Sequence, residues 1–289
     1  MIKHLLLSTS LLVTASESNA DFMPTNMLFV DDTGLEANIT KNAFNSVIDQ
    51  AEAYYAPLFK SKFRATLKIV RNWDNSTVNA SAYQSGYNWY VNMYGGLARR
   101  PEVTADGFAA VVCHELGHHV AGYPYTGSTS WASNEGQSDY FAGLSCMRSL
   151  WKNQDNSSYA ALAPRVVKEA CDTAWDSDKE QNLCYRVALA GKSISTLLGA
   201  LGGTKVSFDL PDTRRVTRTD NAHPRAQCRL DTYLASAVCR AEFNGSVIPG
   251  KLLGNGTLAE RASAPYTCQT SGEYDQGYRP GCWFKSLTK

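Results

Sequence analysis

Residues 114–119 read HELGHH, so His114, Glu115 and His118 fill the pattern His-Glu-x-x-His. On a helix, residues four apart share one face, about 6 Å apart along the axis, and two imidazoles so placed can grip one zinc ion. Glu115 lies roughly 100° round the same helix, within reach of a water beside that ion. A carboxylate there takes the water's proton and passes it to a leaving amine. Catalytic zinc usually takes three protein ligands and leaves its fourth position to water. A longer pattern with a third histidine fails, because Ala121 and Pro124 stand where its glycine and histidine belong. Downstream, residues 134–139 read NEGQSD. Glu135 and Asp139 share a helix face there, so one can ligate the ion while the other accepts a histidine N–H and raises that ligand's basicity.

One imidazole remains outside these segments. Once an expected leader is removed, the histidines are His114, His118, His119 and His223, and only His223 is off the first helix. Any distant imidazole aiding catalysis is therefore His223; its structural reading is a helix entry, with Pro224 in the first turn. Tyr123, Tyr125 and Tyr140 are alternative hydroxyl donors to a developing oxyanion. His119 and Cys113 face away from the ligand pair, so packing, or a disulfide for Cys113, is their expected role. Arg225 is expected on a solvated face. Residues 191–193 (GKS) are not a phosphate loop, since that pattern needs glycine where Arg186 stands.

His-Glu-x-x-His followed by a helix carrying Asn-Glu-x-x-x-Asp resembles the gluzincin metallopeptidases. Within them the chain is most similar to the CAAX prenyl endopeptidase family and its soluble bacterial relatives (metallopeptidase family forty-eight). That family also carries His-Pro-x-x-x-x-Arg, and residues 223–229 read HPRAQCR. The resemblance spans roughly residues 90–240 by motif order. It implies His114, His118 and Glu135 as ligands of one zinc ion, Glu115 as general base and acid, and Asp139 as the carboxylate behind a ligand histidine. It further implies His223 as oxyanion stabiliser, Arg229 as a site-organising cation, and Asn134 as a brace for the other ligand histidine. The lipidated substrates of the membrane-embedded members do not carry over to a chain without spanning helices.

These residues need elements to place them. Apolar spacing around Phe108, Val111, Val112 and Leu116 predicts a largely buried helix over about 107–121, and Gly117, a poor helix former, marks a tight packing site on it. Further helices are expected at about 40–59, 135–151, 160–174, 182–201 and 225–240. Strands are expected at 63–70 and 88–94 with a loop between, at 73–86. The second strand, Trp89–Tyr94, leads into the first motif helix and could pair with an extended substrate. A small N-terminal sheet followed by helices predicts an α+β domain, which the resemblance implies to be zincin-like, over 21–240, then an irregular cysteine-containing tail over 241–289.

Residues 1–20 carry Lys3, an apolar centre from Leu5 to Val13, and small Ser18 and Ala20, which predicts a secretory signal peptide cut before Asp21. The apolar centre is far short of the ~20 residues of a membrane span. The eight cysteines, all beyond the leader, are expected in disulfides, in keeping with export to the periplasm or exterior. Cys228 and Cys239, about 16 Å apart along one helix, are too distant to pair. Cys171–Cys184 and Cys268–Cys282 are the local pairings expected. Six Asn-x-Ser/Thr triplets are read as incidental in an Asn-rich chain. With Lys+Arg 28 against Asp+Glu 27, a net charge of +1 gives no electrostatic case for nucleic acid. The expected function is an exported zinc metalloendopeptidase acting on a peptide or protein substrate, with no membrane segment after leader removal. A secreted zinc hydrolase of cell-wall peptides, or a non-catalytic zincin-fold binding module, is the alternative.

Overall fold

The computed structural model describes residues 20–32, 38–127, 130–242, 247–269 and 274–288. Of the expected leader, residues 1–19 lie outside this set. Its last residue, Ala20, stands in the first strand.

The order of elements is strand β1 (Ala20–Asp21), helix α1 (Lys41–Leu58), strands β2 (Thr66–Asn72), β3 (Ala80–Ser85) and β4 (Asn88–Tyr94), and a short α2 (Gly95–Ala98). The motif helix α3 (Ala105–Val120) follows, then α4 (Glu135–Phe141), which runs on through a π-helical stretch (Ala142–Met147) into α5 (Arg148–Trp151). After α6 (Tyr159–Leu162) and α7 (Arg165–Ala174) come the long α8 (Asp178–Leu201), α9 (Ala226–Val238) and α10 (Thr257–Ser263). The class is α+β: a four-stranded mixed sheet in the order β1-β3-β4-β2, with helices packed beside it. β4 is antiparallel to β3 and parallel to β2, and β1 is antiparallel to β3.

β4 alternates as a half-buried strand should, with Trp89, Val91 and Met93 turned to the core. It lies between β2 and β3, so it presents no edge to a substrate, which corrects the expectation for Trp89–Tyr94. The loop expected over 73–86 contains β3. Its composition (ASAYQS) is weak for a strand, but pairing overrides composition: Ala82 sits opposite Val91, and the Tyr83 and Tyr90 rings stack at 4.4 Å. β2 begins at Thr66, three residues later than expected.

α3 starts at Thr104, whose side chain accepts from the Gly107 N–H at 3.0 Å. Every residue from Gly107 to Val120 is buried, as befits a helix surrounded by α1, α4, α8, β3 and β4. α4 crosses it closely at Gly117. A Cβ there would stand 3.0 Å from Ser138 Cα and 3.1 Å from Phe141 Cδ1, so glycine sets how near the two motif helices come. The expected crowding at that residue is the α3–α4 contact.

All eight cysteines pair. Cys171–Cys184 is present as expected and Cys228 does not meet Cys239. Cys268 and Cys282 do not pair with each other: Cys282 joins Cys228 and Cys268 joins Cys239, while Cys113 joins Cys146. Both tail cysteines therefore tie to α9 or to the residue that follows it, Cys239. The reason is packing: Trp283 is wholly buried, against Gly136 of α4, in a second apolar cluster with Tyr140 and Leu144. No described helix is long and apolar enough to cross a membrane.

Candidate metal centre

His114 and His118, one turn apart on α3, meet Glu135 from the first turn of α4. His114 Nε2 lies 3.2 Å from Glu135 Oε2, and His118 Nε2 lies 3.5 Å from Glu135 Oε1. The three residues offer ligand atoms all within 4.8 Å of one another, so they form a group that could hold a metal ion. A second grouping, Asp212 with Cys228 and Cys282, is closed by the disulfide and offers no thiolate.

The opposite edges of both imidazoles are engaged. His114 Nδ1 donates to Asp139 Oδ1 at 2.7 Å, and His118 Nδ1 donates to the Ser133 carbonyl at 2.8 Å, with Ser138 Oγ 3.1 Å away. These partners turn each Nε2 lone pair toward Glu135. Both Nε2 atoms, Glu135 Oε2 and both Glu115 oxygens are buried without a hydrogen-bond partner. Unpaired buried polar atoms are costly, and a metal ion held by His114, His118 and Glu135 could satisfy those three residues.

Asp139 anchors the rest. It accepts from Arg229 Nε at 2.6 Å, Arg229 Nη2 at 2.7 Å and the Tyr233 hydroxyl at 2.8 Å. Burial by itself would raise the Asp139 carboxyl, but the Arg229 guanidinium and His114 outweigh it and hold it well below the usual carboxylate range. Taken as side chains alone, the two histidines diverge. Burial opposes the His114 cation, yet Asp139 and Glu135 push it up to about 9, whereas burial pulls His118 down to about 4. Burial, reinforced by Glu135 and Asp21 against the pull of His114, pushes the Glu115 carboxyl well above its ordinary value, so it binds a proton readily. For Glu135, burial is outweighed by His118 and His114, and its carboxyl is lowered.

His223 joins the cluster from the segment leading into α9. Its Nε2 lies 3.6 Å from Glu135 Oε2 and donates to the Asp21 carbonyl at 2.8 Å. The structure thus brings together His114, Glu115, His118, Glu135, Asp139, His223 and Arg229. Asn134 is a correction: it caps α4 by accepting from the Gln137 N–H and donates to Asp220 and Asn221. The brace on His118 is Ser133, whose contribution is a backbone carbonyl. Tyr123, Tyr125 and Tyr140 direct their hydroxyls to Glu260, Pro249 and Gly277. His119 is packed, stacked between Trp89 and Trp131, and burial lowers it to about 3. Arg225 is exposed. Sequence reasoning missed Ser133, Ser138, Tyr233 and Asp21. Tyr233 alone had a usable signal, since it lies one helical turn after Arg229.

No family model, curated protein or solved structure matches the chain.

Proposed function

We propose that the protein is a zinc-dependent metallopeptidase of the gluzincin type, acting on peptide bonds outside the cytoplasm. The observation that carries this reading is the grouping of His114, His118 and Glu135, with ligand atoms within 4.8 Å of one another, and an unpartnered buried Glu115 carboxyl next to His114 on the same helix. One ligand atom from each of the three residues lies within 4.8 Å of the others, close enough to share one ion. Two imidazoles and one carboxylate are also the donor set of established hydrolytic zinc sites. The chemistry a bound zinc supplies is Lewis acidity, lowering the pKa of a water toward ~7 and polarising a carbonyl.

The protein's own groups do the rest. Glu115 accepts the proton of the attacking water and returns it to the departing amine, a role suited to a buried carboxyl whose proton affinity is raised. His223 donates to the carbonyl oxygen as it gains charge; such donors typically contribute a few kcal/mol, about 2.7–4 by deletion. Asp139 and Arg229 keep the His114 ring in the tautomer that leaves Nε2 free. The four disulfides suit a chain that works in an oxidising compartment.

The test is a matched pair, wild type and Glu115→Gln, each assayed for bound zinc and for hydrolysis of a denatured protein and of purified cell wall. The expected result is equal zinc in both and loss of protein hydrolysis in the variant. Equal hydrolysis by both removes Glu115 from the mechanism, and zinc binding without hydrolysis by either favours a binding module.

A further inference from the structure

The first strand packs against residues of the candidate metal centre, a placement whose meaning rests on the metallopeptidase reading. β1 runs antiparallel along β3, Ala20 opposite Ala82 and Asp21 opposite Ser81. The Phe22 N–H continues the ladder by donating to the Ala80 carbonyl at 3.0 Å. A peptide added to a sheet edge is held in this way. The Asp21 carbonyl receives the His223 Nε2 donor at 2.8 Å, and that nitrogen is 3.6 Å from the ligand Glu135. It therefore occupies the place where a reacting carbonyl would meet its oxyanion donor.

The next residue behaves as the side chain after a cleaved bond would. Phe22 is wholly buried, edge-on to the His114 ring at 5.1 Å and beneath the Arg229 guanidinium at 4.4 Å. Its carbonyl accepts from Arg229 Nη1 at 2.8 Å. The Met23 backbone is clamped on both sides by Asn79, donating to Oδ1 at 3.0 Å and accepting from Nδ2 at 3.3 Å. The path then opens into a cleft of about 880 Å³ lined by Met23, Pro24, His223, Arg225 and Arg229. From the Asp21 carbonyl to Met23, each backbone polar group is met by a partner on His223, Ala80, Arg229 or Asn79. An ordinary core strand has no need of the one distant histidine as its carbonyl's partner.

We propose that Asp21–Met23 is an internal competitor, holding with its own backbone the contacts that a peptide substrate would make, with the Asp21 carbonyl at the position attacked and Phe22 in the adjoining pocket. An outside peptide enters only when this strand lifts, and the vacated pocket selects an aromatic side chain directly after the bond cut. Leader removal before Asp21 takes away Ala20 and its pairing with Ala82 but keeps Asp21, Phe22 and Met23 in the chain, and with them the groups that meet His223, Arg229 and Asn79.

The experiment uses the whole mature protein carrying Glu115→Gln, loaded with zinc, and the probe acetyl-Ala-Asp-Phe-Met-amide. Hydrogen exchange at the Phe22 N–H is read without probe and with saturating probe. The expected result is a loss of protection at that amide of about tenfold or more, with α8 amides unchanged. Phe22→Ala in the same background is expected to bind the probe about tenfold tighter or better at unchanged zinc content. The factor arises because a site blocked nine-tenths of the time shows about one-tenth of its intrinsic affinity. Unchanged protection at Phe22 under saturating probe overturns the proposal, as does equal probe affinity of Phe22→Ala and its parent. Should Phe22→Ala fail to fold, the exchange measurement decides alone. Neither readout uses turnover, so competition without any hydrolysis by the wild type would sink the peptidase reading and leave the strand's occupancy standing.

Discussion

Replacing Asp139 by Asn keeps the side chain's shape and removes its charge, with two separate losses. The first is to stability. Arg229 is buried and its Nε and Nη2 both donate to Asp139, so the variant leaves a buried guanidinium without its counter-charge. Breaking a buried pair from one side costs about 3–5 kcal/mol, which at about 2–4 °C per kcal/mol for a chain of this size lowers Tm by roughly 6–20 °C. The second loss is to metal binding. The amide keeps its oxygen where His114, Arg229 Nη2 and Tyr233 donate and sets its N–H₂ against Arg229 Nε, so His114 Nδ1 donates to a neutral acceptor and the imidazole loses the basicity that the carboxylate gives it. Loss of such a partner typically weakens metal affinity by about 10–100-fold. Thermal unfolding in chelator reads the first effect, and zinc competition against a chromophoric chelator reads the second. Tyr233→Phe is the control. It removes one hydrogen bond to a charged group, worth about 1.5–3 kcal/mol, but leaves the carboxylate beside His114 charged, so Tm falls while zinc affinity holds. An Asp139→Asn protein as stable as its parent, with full zinc affinity, would refute this reasoning.

Two further outcomes are expected. Gly117→Ala gains about 1 kcal/mol in helix propensity but drives its methyl to 3.0 Å from Ser138 Cα, and overpacking typically costs about 1–3 kcal/mol, so the net loss of stability stays at or below about 2 kcal/mol; because the relief is to push α4 outward, zinc affinity falls as well, as paired melting and titration will read. The α3 histidines favour the metal-free fold most near pH 6.5, against a raised Glu115 that works against it as pH climbs above the usual carboxyl range: His118 and His119, which burial lowers to about 4 and about 3, take protons in the unfolded chain first, so their contribution falls as pH drops from 6.5 toward 4. His114, raised to about 9 by Asp139 and Glu135 against the effect of burial, contributes below 6.5 and loses that contribution as pH rises toward 9. Urea midpoints measured in chelator across this range give the profile, and a flat one contradicts the assigned environments.

Much of the site was legible because its key spacings are helical. His114 and His118 one turn apart, and Glu135 and Asp139 one turn apart, place four side chains on two faces before any tertiary contact is known. Gly117 hinted at the close approach of those faces. His223 and Arg229 came from the motif resemblance, and the histidine count pointed to the first of them. What stayed hidden lacks a side-chain signature or depends on long-range pairing. The partner of His118 is the backbone carbonyl of Ser133, which any residue could supply. β3 is a strand because β4 lies beside it, and its small polar residues read as a loop. Glycine-rich spacing suggested a local Cys268–Cys282 loop, whereas burial of Trp283 on α4 carries Cys282 to Cys228 on α9 instead.

The central claim is that His114, His118 and Glu135 grip one ion. Anomalous diffraction at the zinc absorption edge, from crystals of the zinc-loaded protein, tests it most directly. One peak per chain is predicted, within ~2.0–2.2 Å of His114 Nε2, His118 Nε2 and a Glu135 carboxylate oxygen. No peak among these three side chains, or zinc bound only elsewhere on the molecule, would contradict it.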